Sequence, residues 1–308
     1  MTFAPATTDC VLEIEQLTKT FGDRTVVNEV SFEVRRGEIF GFLGPNGSGK
    51  TTTIRMALGI IRPDSGKISI LGAEPDRAVL KRVGYLPEDR GLLRKVRVLD
   101  IIRYLGRLKG MTSSEAEERG NELLHRVGLY QHRFKKVEGL SRGMTQLIQF
   151  IAAIIHEPEF IILDEPFAGL DPLNVQLMKQ MLYEQQQRGA TIMFSTHIMA
   201  DVEELCERVA LISDSNLLLY GELDKIKRQR GANSVRVVAQ GIPDSLSAGR
   251  TITPDNGVME FAIGRGRSSE DILRAFLDAS IPVEKFELLL PTLNDIFIEE
   301  VSRARNTR

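Results

Sequence analysis

The chain has 308 residues, 42% hydrophobic and 27% charged, with a formal net charge of −2 and a pI near 6.2. That length suits two domains, and the charge balance offers no basic excess for a nucleic-acid partner. Two cysteines, Cys10 and Cys206, make neither a disulfide framework nor a metal spacing, which fits a reducing cytosol. The opening MTFAPATTDC carries no signal-peptide pattern, and the longest nearly apolar run, LIQFIAAII (147–155), is too short to span a membrane and contains Gln149.

In chain order, the runs VLEIEQLTKTFG and VVNEVSFEVRRGEIFGFLG read as strands, the second feeding a glycine-rich loop. From 88 to 158 the pattern is helical. Val98, Ile101, Ile102, Leu105 and Leu108 share one face, Thr112 and Glu115 stand at capping-box spacing, and a third helix starts near Ser141. Its stripe is Met144, Leu147, Ile148, Ile151, Ala152 and Ile155, and Pro158 ends it. FIILD (160–164) is apolar almost throughout, as a strand buried on both faces would be, and TIMFSTH (191–197) is a further strand. Alternating strands and helices predict an α/β fold with a largely parallel sheet and a helical insertion.

The stretch KIKRQRGANS (225–234) marks a linker or a solvated helix end. Beyond it come strand-like SVRVVAQ and GVMEFAI, a helix over 268–279, the strand EKFELLL, and a last helix with Thr292 and Asp295 at cap spacing. The expected division is a domain over 1–230, with its helical subdomain at about 88–158, and a small α+β domain over 231–308.

The chemistry concentrates in GFLGPNGSGKTTTIRM (41–56), which meets G-x-x-x-x-G-K-[ST] with Gly44, Gly49, Lys50 and Thr51. The loop Gly44, Pro45, Asn46, Gly47, Ser48 and Gly49 lets backbone N–H groups turn toward phosphate at a helix start. Lys50 supplies charge across the β- and γ-phosphates, Thr52 a hydroxyl at the helix start, and the Thr51 hydroxyl faces Mg²⁺. A P-loop needs a carboxylate on the metal side. FIILDEP ends in Asp164 and Glu165, which strand alternation aims in different directions. Asp164 suits Mg²⁺ through water, and Glu165 suits polarising an attacking water.

With LSRGM (140–144) ahead of that strand, the chain resembles the nucleotide-binding subunit of an ATP-binding cassette (ABC) transporter, over residues 11 to about 223. The family form of this signature is LSGGQ; here Arg142 replaces the first glycine and Met144 the glutamine. The resemblance implies a P-loop cassette fold with a mixed sheet, an antiparallel β region and a helical subdomain. It also implies that Ser141 and Gly143 contact the γ-phosphate of nucleotide held by a second subunit, most simply an identical one. Asp171 in AGLD then touches the partner's P-loop, His197 helps orient Glu165 and the water, and Phe21 stacks on adenine. Glu88 stands where the family has glutamine, between Mg²⁺ and the membrane partner; a carboxylate accepts from metal-bound water but donates no N–H.

The tail, ending PTLNDIFIEEV, is similar to that of subunits serving ABC-2-type exporters. Two function classes follow. One is an ATPase energising an exporter whose spans lie on a separate permease chain, seated at the cytoplasmic side of the cell membrane and binding no nucleic acid. The other is a soluble ABC ATPase acting on nucleic acid or ribosomes, or a regulatory ATP-binding module. Tandem cassettes or long coiled coils would favour the second class, and the chain has neither.

Overall fold

Two runs rich in β-branched and aromatic residues, β1 (Cys10–Phe21) and β2 (Arg24–Arg35), close a hairpin on Gly22 and Asp23. In the computed structural model, residues 9–89, 91–232, 234–243, 246, 258–263 and 268–306 are described. Residues 1–8, Arg90, Asn233 of the basic stretch and Gly257 of GVMEFAI lie outside them. The chain divides into two compact units, Met1–Gly221 and Glu222–Arg308.

The first unit continues with β3 (Ile39–Leu43), α1 (Lys50–Ala57), β4 (Ser65–Ile70), α2 (Arg77–Leu80), β5 (Val83–Leu86), α3 (Val98–Leu108), α4 (Ser113–Arg126), α5 (Arg142–Ile154), β6 (Phe160–Asp164), α6 (Pro172–Gln187), β7 (Thr191–Thr196), α7 (Met199–Leu205), β8 (Arg208–Ser213) and β9 (Asn216–Glu222). β1 lies between β2 and β4 in an antiparallel sheet. A second, six-stranded sheet has the order β5-β6-β7-β3-β8-β9, parallel from β5 through β8. β9 returns through a two-residue turn on Asp214 and Ser215, both at positive φ as a tight hairpin demands.

β3, β6, β7 and β8 are buried at every position, so both faces of this sheet are covered. Phe32 of β2 meets Phe40 and Phe42 of β3 at centroid separations of 5.6 and 5.2 Å, joining the two sheets in one core. One ion pair is enclosed with them: Glu38, just before β3, and Arg208, opening β8, approach to 3.1 Å with side chains 6% and 7% exposed. Burial pushes the Glu38 carboxyl above its ordinary range, against the Arg35 amide and the Arg208 charge.

α3, α4 and α5 lie between β5 and β6, and the Thr112–Glu115 capping box is closed. One position departs. Val98, Ile101 and Ile102 are buried, but Leu108 is exposed, because the buried face of α3 runs through Val98, Leu99, Ile102 and Gly106 and leaves Leu108 at its margin.

The second unit opens with α8 (Leu223–Arg230), so most of the basic stretch is helical. β10 (Ser234–Ala239) pairs antiparallel with both β11 (Val258–Ala262) and β12 (Val283–Leu289). α9 (Ser269–Asp278), capped by Ser268, and α10 (Leu293–Asn306) complete it. Val235, Val237, Phe261, Ile272 and Phe276 form its own core. Thr292 and Asp295 exchange the expected cap bonds.

Candidate functional site

The loop between β3 and α1 folds around the lysine that follows it. Lys50 Nζ donates to the carbonyls of Gly44 at 2.7 Å and Pro45 at 3.3 Å. Only glycine fits at two corners of this loop. A Cβ at Gly44 would sit 2.1 Å from the Ile212 carbonyl oxygen, and one at Gly49, where φ is +113°, would sit 2.4 Å from that of Val26. Gly49 precedes α1 and supplies no side-chain cap, so the amides of the first turn are left for a ligand. A cavity of about 260 Å³ opens there, lined by Asn46, Gly47, Gly49, Lys50, Thr51, Thr52, Glu88 and Glu165, with Arg24 and Val26 from β2.

The acidic side is built on neighbouring strands. β6 ends in Asp164, which pairs with Ser195 of β7. The Ser195 hydroxyl donates to Asp164 Oδ1 and accepts from the Glu165 amide at 3.2 Å. Burial pushes the Asp164 carboxyl up, with the charges of Glu88 and Glu165 acting in the same direction and the Ser195 bond opposing. Glu165 takes left-handed backbone, φ 49°, a costly conformation for a side-chain-bearing residue. That turn swings its carboxylate over the strand ends, 3.5 Å from Lys50 Nζ. His197, one residue past β7, places Nδ1 3.1 and 3.0 Å from the two Glu165 oxygens and donates to them.

Glu88 follows β5 by one residue beyond Pro87, and its Oε2 accepts from the Thr51 hydroxyl at 3.3 Å. The next residue, Asp89, meets Arg55 of α1 at 3.2 Å and accepts from Gln149 of α5 through its carbonyl. Two buried atoms of the site, Ser48 Oγ and Asp164 Oδ2, have no hydrogen-bond partner among the described residues. Buried polar atoms normally have one, and here a phosphate oxygen and a water on a divalent cation would supply it. The residues present therefore fit Mg²⁺ and a nucleotide phosphate chain.

Other expected residues stand apart from this cavity. Ser141 caps α5, accepting from Met144 N at 3.2 Å, and is exposed. Gly143 lies against the segment 169–170, and the Arg142 side chain crosses Gly169, whose φ of +77° and missing Cβ make room for it. Asp171 caps α6 through Asn174 N at 3.1 Å, and those bonds hold its carboxyl below the usual range. Phe21 is half exposed at the end of β1, with Lys19 Nζ 5.3 Å from its ring centroid. Arg24, Ser195 and Arg55 were not among the expected site residues; the signal for Arg24 was a cation three residues beyond the aromatic.

Residues 27–168 match the ABC transporter family and residues 221–301 the C-terminal domain of DrrA1-3-like ATP-binding proteins. The chain is 40% identical over 299 residues to the ABC transporter ATP-binding protein YhaQ of Bacillus subtilis, covering 94% of this chain and 98% of that one. It is 34% identical over 254 residues to the linearmycin resistance ATP-binding protein LnrL of the same organism, covering 80% and 81%. A solved ATP-binding subunit of an ABC transporter superposes with a TM-score of 0.68 at 32% identity, over 72% of this chain and 93% of that one. A cradle for phosphates, a carboxylate–histidine pair beside it and these relatives agree: the chain belongs to the ABC transporter ATP-binding proteins, and it is an ATP-binding subunit and ATPase of that family.

Proposed function

We propose that the chain hydrolyses ATP to drive a membrane exporter whose spans lie on a separate permease chain, working as a two-fold pair on the cytoplasmic side. The observation that carries the pairing is the separation of Ser141 and Gly143 from the Lys50 cavity within one copy. An exposed helix N-terminus with a hydroxyl cap suits a phosphate that a second copy brings, and a two-fold arrangement completes both sites at once. Export is favoured by the likeness to LnrL, a resistance protein, and by the DrrA1-3-like tail. Among the described residues no helix is long and apolar enough to cross a membrane.

Within the site, Lys50 and the first-turn amides hold the phosphates. Thr51, Asp164 and Glu88 would hold Mg²⁺, which when bound neutralises charge on the phosphate chain. Glu165 takes the proton of the attacking water, and His197 fixes the direction of its carboxylate. Asp171 and Phe21 complete the partner and adenine contacts. Nucleotide then shifts a two-state equilibrium between open and paired copies through contacts made only when the γ-phosphate is present.

Isolating the full chain from its native membrane tests the reading. A co-purifying chain with membrane spans is expected; co-purification with ribosomes or nucleic acid and no such chain would overturn it.

A further inference from the structure

Two of the buried residues of α5 are amides in an otherwise apolar row. Gln146 is 2% and Gln149 4% exposed, and Leu147, Ile148, Phe150 and Ile151 beside them are buried as well. Burying an amide costs free energy unless it is hydrogen-bonded. Each of these donates to a loop that carries one of the carboxylates of the site. Gln149 Nε2 donates to the Asp89 carbonyl at 3.3 Å, one residue after Glu88. Gln146 Nε2 donates to the Pro166 carbonyl at 3.0 Å, one residue after Glu165.

The Gln146 bond reaches the more demanding place. Glu165 holds a φ of 49°, and such backbone persists only where its surroundings over-determine it. On the strand side, its amide bonds to the Ser195 carbonyl at 3.1 Å and the Ser195 hydroxyl at 3.2 Å. Beyond it, the Ala168 amide closes the turn onto the Glu165 carbonyl at 3.2 Å, and Phe167 meets Phe194 of β7 edge-on at 5.7 Å. Pro166 has no N–H to contribute, so its carbonyl is the handle by which α5 holds it. The same helix begins at the Ser141 cap, and Arg142 and Gly143 of its first turn lie against 169–170.

We propose that Gln146 is a positioning residue for hydrolysis. Its bond to the Pro166 carbonyl fixes the turn that aims the Glu165 carboxylate, so that α5 and the base keep one geometry. The proposal rests on the reading of Glu165 as the base. An apolar side chain of similar length would fill the space but leave the turn free to relax, and a misplacement of about 1 Å can cost about 10²-fold in rate. Gln146 does not line the Lys50 cavity, so nucleotide affinity is independent of this bond.

The test uses the full-length chain with Mg²⁺ and ATP, well below its unfolding midpoint, in the variants Gln146→Met and Gln146→Glu, each with and without Glu165→Gln. Gln146→Met is expected to lower kcat by about 10–10²-fold, while affinity for a fluorescent ATP analogue stays within about twofold. In single turnovers that loss should vanish in the Glu165→Gln background, because the bond acts through the base. Gln146→Glu can donate only while protonated, so its kcat relative to the parent should rise as pH falls. An unchanged kcat in Gln146→Met, or an affinity that falls in step with kcat, overturns the proposal. So does a loss as large without Glu165 as with it, or a pH-independent ratio for Gln146→Glu. Undiminished turnover in Glu165→Gln alone removes the base reading and this proposal with it. An inactive Glu165→Gln beside a fully active Gln146→Met overturns this proposal and leaves the base reading standing.

Discussion

His197 Nδ1 and Glu165 Oε2 stand 3.0 Å apart although 32 residues separate them in sequence. Their strands are neighbours, and the left-handed turn at Glu165 closes the remaining distance. Glu165→Gln is expected to retain ATP binding and lose hydrolysis by about 10²–10⁴-fold, whereas His197→Ala retains more, since it orients the base without replacing it. Lys50→Ala is expected to fail at the earlier step, with nucleotide affinity down by at least about tenfold because the phosphates lose a charge-assisted partner. Titration with a fluorescent ATP analogue and a phosphate-release assay separate the three, and undiminished turnover in Glu165→Gln would remove it as the base.

Ser195→Ala tests the support beneath the metal side. Without the hydroxyl, the buried Asp164 carboxylate loses the donor on its Oδ1, a loss of about 1–3 kcal/mol. The Asp164 pKa is already raised in the fold by burial, so the folded state holds its proton more tightly than the unfolded chain. Stability from this group is present at low pH and lost as pH rises through the folded pKa. Removing the hydroxyl raises that pKa further, so the penalty of the variant should grow as pH rises above the ordinary carboxylate range. Urea unfolding without nucleotide or metal reads it; a pH-independent penalty would contradict the account.

Arg208→Leu leaves Glu38 enclosed without its cation. A loss of about 3–5 kcal/mol is expected, shrinking under acid conditions as Glu38 takes up a proton. Glu38→Gln combined with Arg208→Leu should recover much of it, since the unpaired charge is gone. Four urea titrations complete the cycle, and a double variant as weak as Arg208→Leu alone would show that packing, not charge, sets the cost.

His156 gives the clearest pH window. Burial, and then the charge of Lys109, lowers its pKa to about 4. Its Nε2 lies 3.3 Å from the Val83 carbonyl oxygen, and Nδ1 is buried without a hydrogen-bond partner among the described residues. The unfolded chain takes up the proton near pH 6.5, while the fold resists until about pH 4. Stability is therefore lost as pH falls through that window, by up to about 3 kcal/mol. His156→Gln should flatten the profile between those limits in chemical denaturation, and an unchanged slope would assign the dependence elsewhere.

Most of the candidate site is legible in the sequence, because phosphate chemistry restricts which residues serve. Gly44 and Gly49 have no substitute where carbonyls approach so closely, and Lys50, Thr51, Asp164 and Glu165 announce themselves by spacing. What stayed hidden depends on strand adjacency. Ser195 sits in an apolar run and looks like any strand residue until β7 is placed beside β6. Arg24 reaches the cavity from another sheet, and β4, β5, β8 and β9 are too short or too mixed to show a period. Leu108 keeps the helical spacing of its neighbours but falls at the margin of the buried face.

The strand that precedes the P-loop and the strand that ends in Asp164 are not neighbours; β7 separates them. Two inter-strand steps of about 4.8 Å therefore lie between β3 and β6. Lys50 and Glu165 narrow that gap to 3.5 Å by reaching toward each other over the end of β7. The sheet thus works as a gauge whose jaws are two side chains of fixed length. Glu165→Asp keeps the carboxylate and shortens one jaw by a methylene, a change that tests reach at constant charge.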